Sequence, residues 1–218
     1  MQVYLNETNK MVKKGQYKEA LQRFIWFNEH ALEYDESMTG VRLSFALGYW
    51  KELGDIYPPA LTAMKDLRNK KIKLLTDNKE SINLFQDISA FDKTLSEDSI
   101  TAEVFKLIHQ KYPYLADRCW IFAKESLFET KEFGVIKNYI TNPLTEYFAI
   151  KKDYKLQISL FDPSKEKELY NTFREGFVLK CLRLIEFAVW INNEKAAKEI
   201  QSSAINIIND TRLREILP

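Results

Sequence analysis

Gly15-Gln16-Tyr17-Lys18-Glu19-Ala20-Leu21 reads as a turn followed by the opening of an amphipathic helix. Forty positions later, Tyr57-Pro58-Pro59-Ala60-Leu61 repeats the layout. An aromatic leads each helix in, and an early Ala lets a neighbouring helix come close. Aligned, Tyr17-x-x-Ala20-Leu21-x-x-Phe24 falls on Tyr57-x-x-Ala60-Leu61-x-x-Met64. Such self-similarity is the mark of a repeat architecture. Thirteen residues before each aromatic a preceding helix begins, at Tyr4 and at Ser44. The same offset joins Trp120 to Phe133 and Cys181 to Glu194. Four helix pairs thus share one template. A single pair cannot bury its own apolar face, whereas stacked pairs build a continuous core.

Working outward, residues 2–14 read as a short helix, broken at Gly15. From Tyr17 the apolar residues Ala20, Leu21, Phe24, Ala31 and Leu32 keep helical spacing. A second helix from Thr39 or Gly40 carries Leu43, Ala46, Leu47, Trp50 and Leu53, and Gly54-Asp55 is expected to end it. Gly48 within it costs about 1 kcal/mol against Ala, and a close backbone approach by another helix is expected to offset that. Pro58 suits a first helical turn, where its missing N–H has no partner anyway. That helix ends in Arg68, Lys70, Lys71 and Lys73, read as a solvated, dipole-compensating end, with a phosphate-contacting patch as the sharper alternative. Thr76-Asp77-Asn78 reads as a loop. Helices follow through Ile82–Leu95, from an Asp98 or Ser99 N-cap to Pro113, from Tyr114 to Leu127, and over Phe133–Ile140. Spacing is weaker over 144–158. Phe161-Asp162-Pro163-Ser164 is a strong break, followed by a long helix to Ile191 and a last one through Ala197, Ile200 and Ala204. Tyr154 to Phe161 alternates weakly and is the only strand candidate.

Gly15 to Phe24 resembles the turn and second helix of the tetratricopeptide repeat. The other pairs are degenerate: Ser44 stands where an aromatic belongs, and Glu194 and Gln201 replace the aromatic and the bulky residue of the fourth. The template recurs at Tyr17, Tyr57, Phe133 and Glu194, intervals of 40, 76 and 61, where the family keeps about 34. Gly15 to Arg68 is similar to uncharacterised bacterial tetratricopeptide-like proteins, through Trp26-Phe27, Gly40-Val41-Arg42-Leu43-Ser44-Phe45 and Tyr57–Leu61. The resemblance implies an all-α, right-handed superhelical stack, an α-solenoid of about ten helices. It would form one domain over 1–218, with candidate sub-blocks 1–76 and 114–218 joined by helices in 77–113. It also implies that the first helix of each pair lines a concave groove. The groove positions are then Asn9 and Lys13; Arg42, Tyr49 and Glu52; Arg118 and Glu125; and Glu186. Arg, Tyr and carboxylates are residues that a peptide groove uses.

Composition narrows the function. The 218 residues carry a formal net charge of +1, against the basic excess of a nucleic-acid binder. With six Gly and six Pro, turns are scarce and long helices are favoured. No run approaches the roughly 18 apolar residues of a membrane span, and the N-terminus lacks a signal-peptide pattern. Cys119 and Cys181, the only thiols, have no metal-type spacing and read as buried small hydrophobes of a reducing cytoplasm. His30 and His109 have no metal-like companions, and no phosphate-cradling Gly loop or nucleophile elbow occurs. A Cys119–His109 nucleophile pair is conceivable only if Cys119 leaves the helical core. Trp26, beside Asn28, Glu29 and His30, reads as a buried hydrogen-bonded cluster, with a ligand-facing patch as the alternative. The expectation is a cytoplasmic, non-enzymatic module that needs no cofactor or metal and binds a peptide or protein rather than nucleic acid or membrane. The alternative is an inhibitor or immunity-type protein that blocks a toxin or enzyme with an outer helical face.

Overall fold

Gly15 adopts a φ of +77°, which a residue without Cβ takes at no steric cost. It ends α1 (Gln2–Lys13) in a Schellman turn: the Gln16 N–H donates to Met11 O at 3.1 Å and the Gly15 N–H to Val12 O at 3.0 Å. The chain then enters α2 (Tyr17–Tyr34), as the sequence pattern predicts. The computed structural model describes residues 1–77, 79–162 and 164–217. Asn78 and Pro163, expected in loops, lie outside the described residues.

After a 3-10 turn at Glu36–Met38 come α3 (Thr39–Leu43), α4 (Phe45–Ile56), α5 (Pro58–Thr76), α6 (Ile82–Leu95), α7 (Asp98–Lys111) and α8 (Pro113–Glu129). Then follow α9 (Phe133–Ile136), α10 (Pro143–Ser159), α11 (Lys167–Trp190), α12 (Glu194–Ile205) and α13 (Thr211–Glu215). Pro58, Pro113 and Pro143 each open a helix. The protein is all-α, with no strand among the described residues. The strand candidate from Tyr154 is overturned: α10 runs to Ser159, and Tyr147 and Tyr154, two helical turns apart, are both buried. Thirteen α-helices are described rather than about ten: Ser44 divides the helix expected from Thr39 into α3 and α4, and α13, five residues long, is too short to show periodicity. Phe133 opens a helix of only four residues, so the second helix of the third pair is a single turn. The N-cap of α7 is Glu97, not Asp98 or Ser99; Asp98 instead accepts a hydrogen bond from the Ser126 hydroxyl at 2.7 Å.

The chain forms two compact units, Met1–Thr130 and Lys131–Pro218. In the first, each helix from α4 on packs against its chain neighbour, and α2 on α4, α4 on α6 and α6 on α8 pack next-but-one. Its core gathers Leu5, Ala20, Phe24, Phe27, Leu47, Trp50, Leu53, Ala60, Met64 and Phe91. Trp50 stacks on Phe24, meets the edge of Phe91, and donates its indole N–H to Ala60 O at 2.9 Å. That bond needs α5 close to α4, and two small residues allow it. Ala60 is fully buried, and at Gly54 an added Cβ would lie 3.1 Å from Leu61 Cβ and 3.3 Å from its backbone. The close approach expected at Gly48 is therefore made at Gly54 instead. In the second unit, α11 packs between α10 and α12, with Tyr154 stacked on Phe177 at 4.6 Å and the Tyr147 hydroxyl 2.8 Å from Ser203 Oγ.

Candidate functional site

The positions expected in a groove divide sharply. Arg42 is buried, only 6% exposed, and its guanidinium donates two hydrogen bonds to the Asp87 carboxylate of α6. Lys71 of α5 also donates to Asp87, at 2.6 Å. This corrects the sequence expectation: Arg42 sits at the break before α4, where the chain turns its side chain into the seam between α5 and α6. Glu186, in the second unit, is half-buried and paired with Lys131 at 2.9 Å. On α1, Asn9 is half-buried and Lys13 exposed; Arg118 and Glu125 are exposed on α8. Tyr49 and Glu52 share one cavity.

That cavity is a groove of about 380 Å³ between α4 and α6. Phe45, Gly48, Tyr49 and Glu52 of α4 face Ala90, Lys93 and Thr94 of α6, with Leu43 and Ser44 at its end. Its geometry follows from Ser44. The Ser44 hydroxyl donates back to Gly40 O at 2.6 Å, four residues earlier, and Ser44 leaves the helical conformation with φ −130° and ψ −88°. The helix restarts at Phe45, whose ring is 65% exposed while Ala46 and Leu47 go to the core. Phe45, Tyr49, Glu52 and Ile56 then recur at i, i+4, i+7 and i+11, one line along the open face, with Ile56 56% exposed. Nothing lies within 4 Å of where a Gly48 Cβ would be. The missing side chain is what gives the groove its depth.

The groove's polar groups are available. The Thr94 hydroxyl is spent on Ala90 O at 2.8 Å. Glu52, Lys93 and the Tyr49 hydroxyl have no partner among the described residues. Of the residues lining the groove, Tyr49 and Glu52 are among the positions that the repeat resemblance implies, and Phe45, Gly48 and Lys93 are not. For Phe45 the signal was present, a second line along α4 away from the core line of Ala46, Leu47, Trp50 and Leu53; Lys93, on α6, has no such signal.

Other candidates resolve into structure. Arg68 is buried and pairs with Asp92 and Glu97, and Lys70 pairs with Glu29 at 3.5 Å. With Lys71 on Asp87, two of the four basic residues at the end of α5 are taken into the packing, whereas Lys70 and Lys73 stay exposed, Lys73 in the last turn as the solvated, dipole-compensating reading expects. Cys119 and Cys181 are buried, and burial pushes both thiols up to about 12, so neither is a thiolate at neutral pH. The Trp26 cluster splits. Asn28 turns inward, its carbonyl accepting from Arg42 at 3.3 Å and its side-chain amide without a hydrogen-bond partner. Trp26 stays half-buried among Tyr4, His30 and Tyr34, at 5.0, 5.4 and 5.6 Å between ring centres. No group of residues suited to hold a metal ion occurs among the described residues, and none of their helices is long and apolar enough to cross a membrane.

Compared with known proteins, the chain matches no family model, and no curated protein and no solved structure matches it.

Proposed function

We propose that the protein is a non-enzymatic binding module of helical-repeat type that holds a segment of a protein partner in the groove between α4 and α6. The observation that carries this reading is the open floor at Gly48, walled by Phe45 and Tyr49 and rimmed by unpaired Glu52 and Lys93. An apolar side chain of the partner fits the floor, and its neighbours bring a cation to Glu52 and an anion to Lys93. The next-but-one packing α2 on α4, α4 on α6 and α6 on α8 supports a solenoid stack of helix pairs within the first unit. Two free, buried thiols fit a reducing cytoplasm.

Gly48 supplies the test. Gly48→Leu fills the floor without touching the core, whereas Gly48→Ala leaves most of the space. A photo-crosslinker at Glu52 in the full chain, used in native lysate, identifies the segment that occupies the groove. That segment, as a synthetic peptide, should bind the purified protein and the Gly48→Ala variant, and lose at least about tenfold in affinity to Gly48→Leu. Equal binding to both variants overturns the reading. Arg42 is unsuited to such a test, because its loss removes a buried partner of Asp87 and disturbs the core.

A further inference from the structure

Helix α10 buries one side and leaves the other bare. Tyr147 and Tyr154 anchor it to the second unit, and Lys151 is engaged there too, its ammonium 3.2 Å from Ser203 Oγ. On the other side stand Phe148 and Leu156, 53% and 58% exposed, followed by Leu160, 74% exposed, at the C-cap. Lys152 and Lys155 are interleaved with them on the same face, since 148, 152, 155 and 156 fall within about a third of the helix circumference. Both lysines are exposed, and neither has a hydrogen-bond or ion-pair partner among the described residues. Asp153 does not neutralise them: it accepts from Gln157 and lies toward α11, in a crevice with Thr172 and Lys180.

We infer that this face of α10 docks an acidic amphipathic helix of a partner protein. The large exposed apolar side chains supply the burial that a docked helix needs. The two unpaired ammonium groups between them specify carboxylates at the matching turns. A symmetric contact with a second copy is disfavoured, because it would oppose lysine to lysine. A membrane fits less well. Helices that lie in a lipid interface segregate cations from the apolar side, and here burying Phe148 and Leu156 would carry Lys152 and Lys155 beneath the headgroups. This surface is separate from the α4–α6 groove and stands or falls independently of it.

The test uses the full chain and three probes: a synthetic helix of about 14 residues, some four turns, with Leu at i, i+4, i+7 and i+11 and Glu between; the same peptide with Lys for Glu; and vesicles of phosphatidylserine and phosphatidylcholine. The Glu peptide should bind and the Lys peptide should not, with amide shifts confined to α10 and its flanks. Lys152→Glu with Lys155→Glu should weaken the Glu peptide about tenfold, and Leu156→Asp should weaken it in 0.5 M salt as well, where the lysine effect is screened. Gly48→Leu should change nothing. All three positions are on the surface, and circular dichroism checks that the variants stay folded. Equal binding of the two peptides, indifference to the lysine reversals, or preferential lysine-dependent binding to the vesicles overturns the inference.

Discussion

Helix α6 has two polar faces, and their treatment is opposite. Toward α3, α5 and α7 it carries Asp87 and Asp92, both buried, and every carboxylate there is answered: Arg42 and Lys71 on Asp87, Arg68 and the Thr101 hydroxyl on Asp92. Toward α4 it carries Lys93, which nothing answers, beside Ala90 and the open floor of Gly48. The seam and the groove use the same residue types. What separates them is burial. A charge taken out of water must be paired or it unfolds the site, so the seam is sealed. A charge left at the rim of an apolar groove costs nothing in the free protein and can be paired by a partner.

Removing one member of the seam should therefore have the largest effect. Arg68→Met strands Asp92, which is fully buried. Burial already lifts the Asp92 carboxyl above its usual range, against the pull of Thr101 and Arg68. Loss of about 3–5 kcal/mol is expected for an uncompensated buried charge, read by chemical denaturation of the full chain at pH 7. The pH response follows from the raised value. A folded-state pKa above the unfolded one favours the protonated fold, so the deficit should shrink as the pH is lowered toward the carboxylate range. A variant as stable as the parent would break the distinction between seam and groove.

The two glycines of α4 sharpen it. Gly54 faces α5, with Leu61 side chain and backbone at 3.1 and 3.3 Å. Gly54→Ala should cost about 1–3 kcal/mol, because the backbone of Leu61 cannot swing aside. Gly48 faces the groove with nothing within 4 Å. There Gly48→Ala should stabilise by up to about 1 kcal/mol, through helix propensity alone. Opposite signs at two glycines six residues apart on one helix, measured in one melting series, are the outcome expected. Destabilisation by both would mean that the groove is closed in solution.

Much of this architecture can be read from the chain. Gly15, Pro58, Pro113 and Pro143 punctuate helices by local backbone sterics, and the core stripe of α2 and α4 follows 3.6-residue spacing. What could not be read depends on which helix lies opposite. Lys71 and Arg68 look like a solvated basic end until Asp87 and Asp92, on another helix, are placed beside them. Arg42 looks like a groove residue until the break at Ser44 turns it inward. Gly54 reads as a helix end and Gly48 as the point of close approach until α5 is placed: α4 runs on to Ile56, and it is Gly54 that Leu61 packs against. At the groove, Tyr49 and Glu52 are positions that the repeat resemblance implies, whereas Lys93 joins them only through the packing of α6 on α4.

The smallest effect belongs to a third arrangement, an arginine at the surface shared between one open and one buried carboxylate. Arg212 donates to both oxygens of Glu175 at 2.6 and 2.7 Å and, through Nε, to Asp210 at 3.0 Å. Asp210 also caps α13, accepting from the Arg212 backbone N–H at 3.0 Å. The Arg212 side chain holds both carboxyls below their usual range. A depressed folded-state pKa contributes stability that is complete above the unfolded value, near about 4, and is lost as the pH falls through the folded values. The clasp should thus be complete at neutral pH and loosen only in acid, below about pH 4. Arg212→Gln should cost about 1 kcal/mol, because Arg212 and Glu175 are open to solvent and the buried Asp210 keeps Arg174 and the backbone N–H of residue 212 as partners. Amide exchange in α13 reads it: faster than the parent at pH 7, with the gap closing as acid releases the parent too. Gln201, which donates to Leu213 O at 3.0 Å, should keep α13 attached in either case. If exchange in α13 is unchanged at pH 7, pairing in water holds nothing here, and only the sealed seam carries charge as structure.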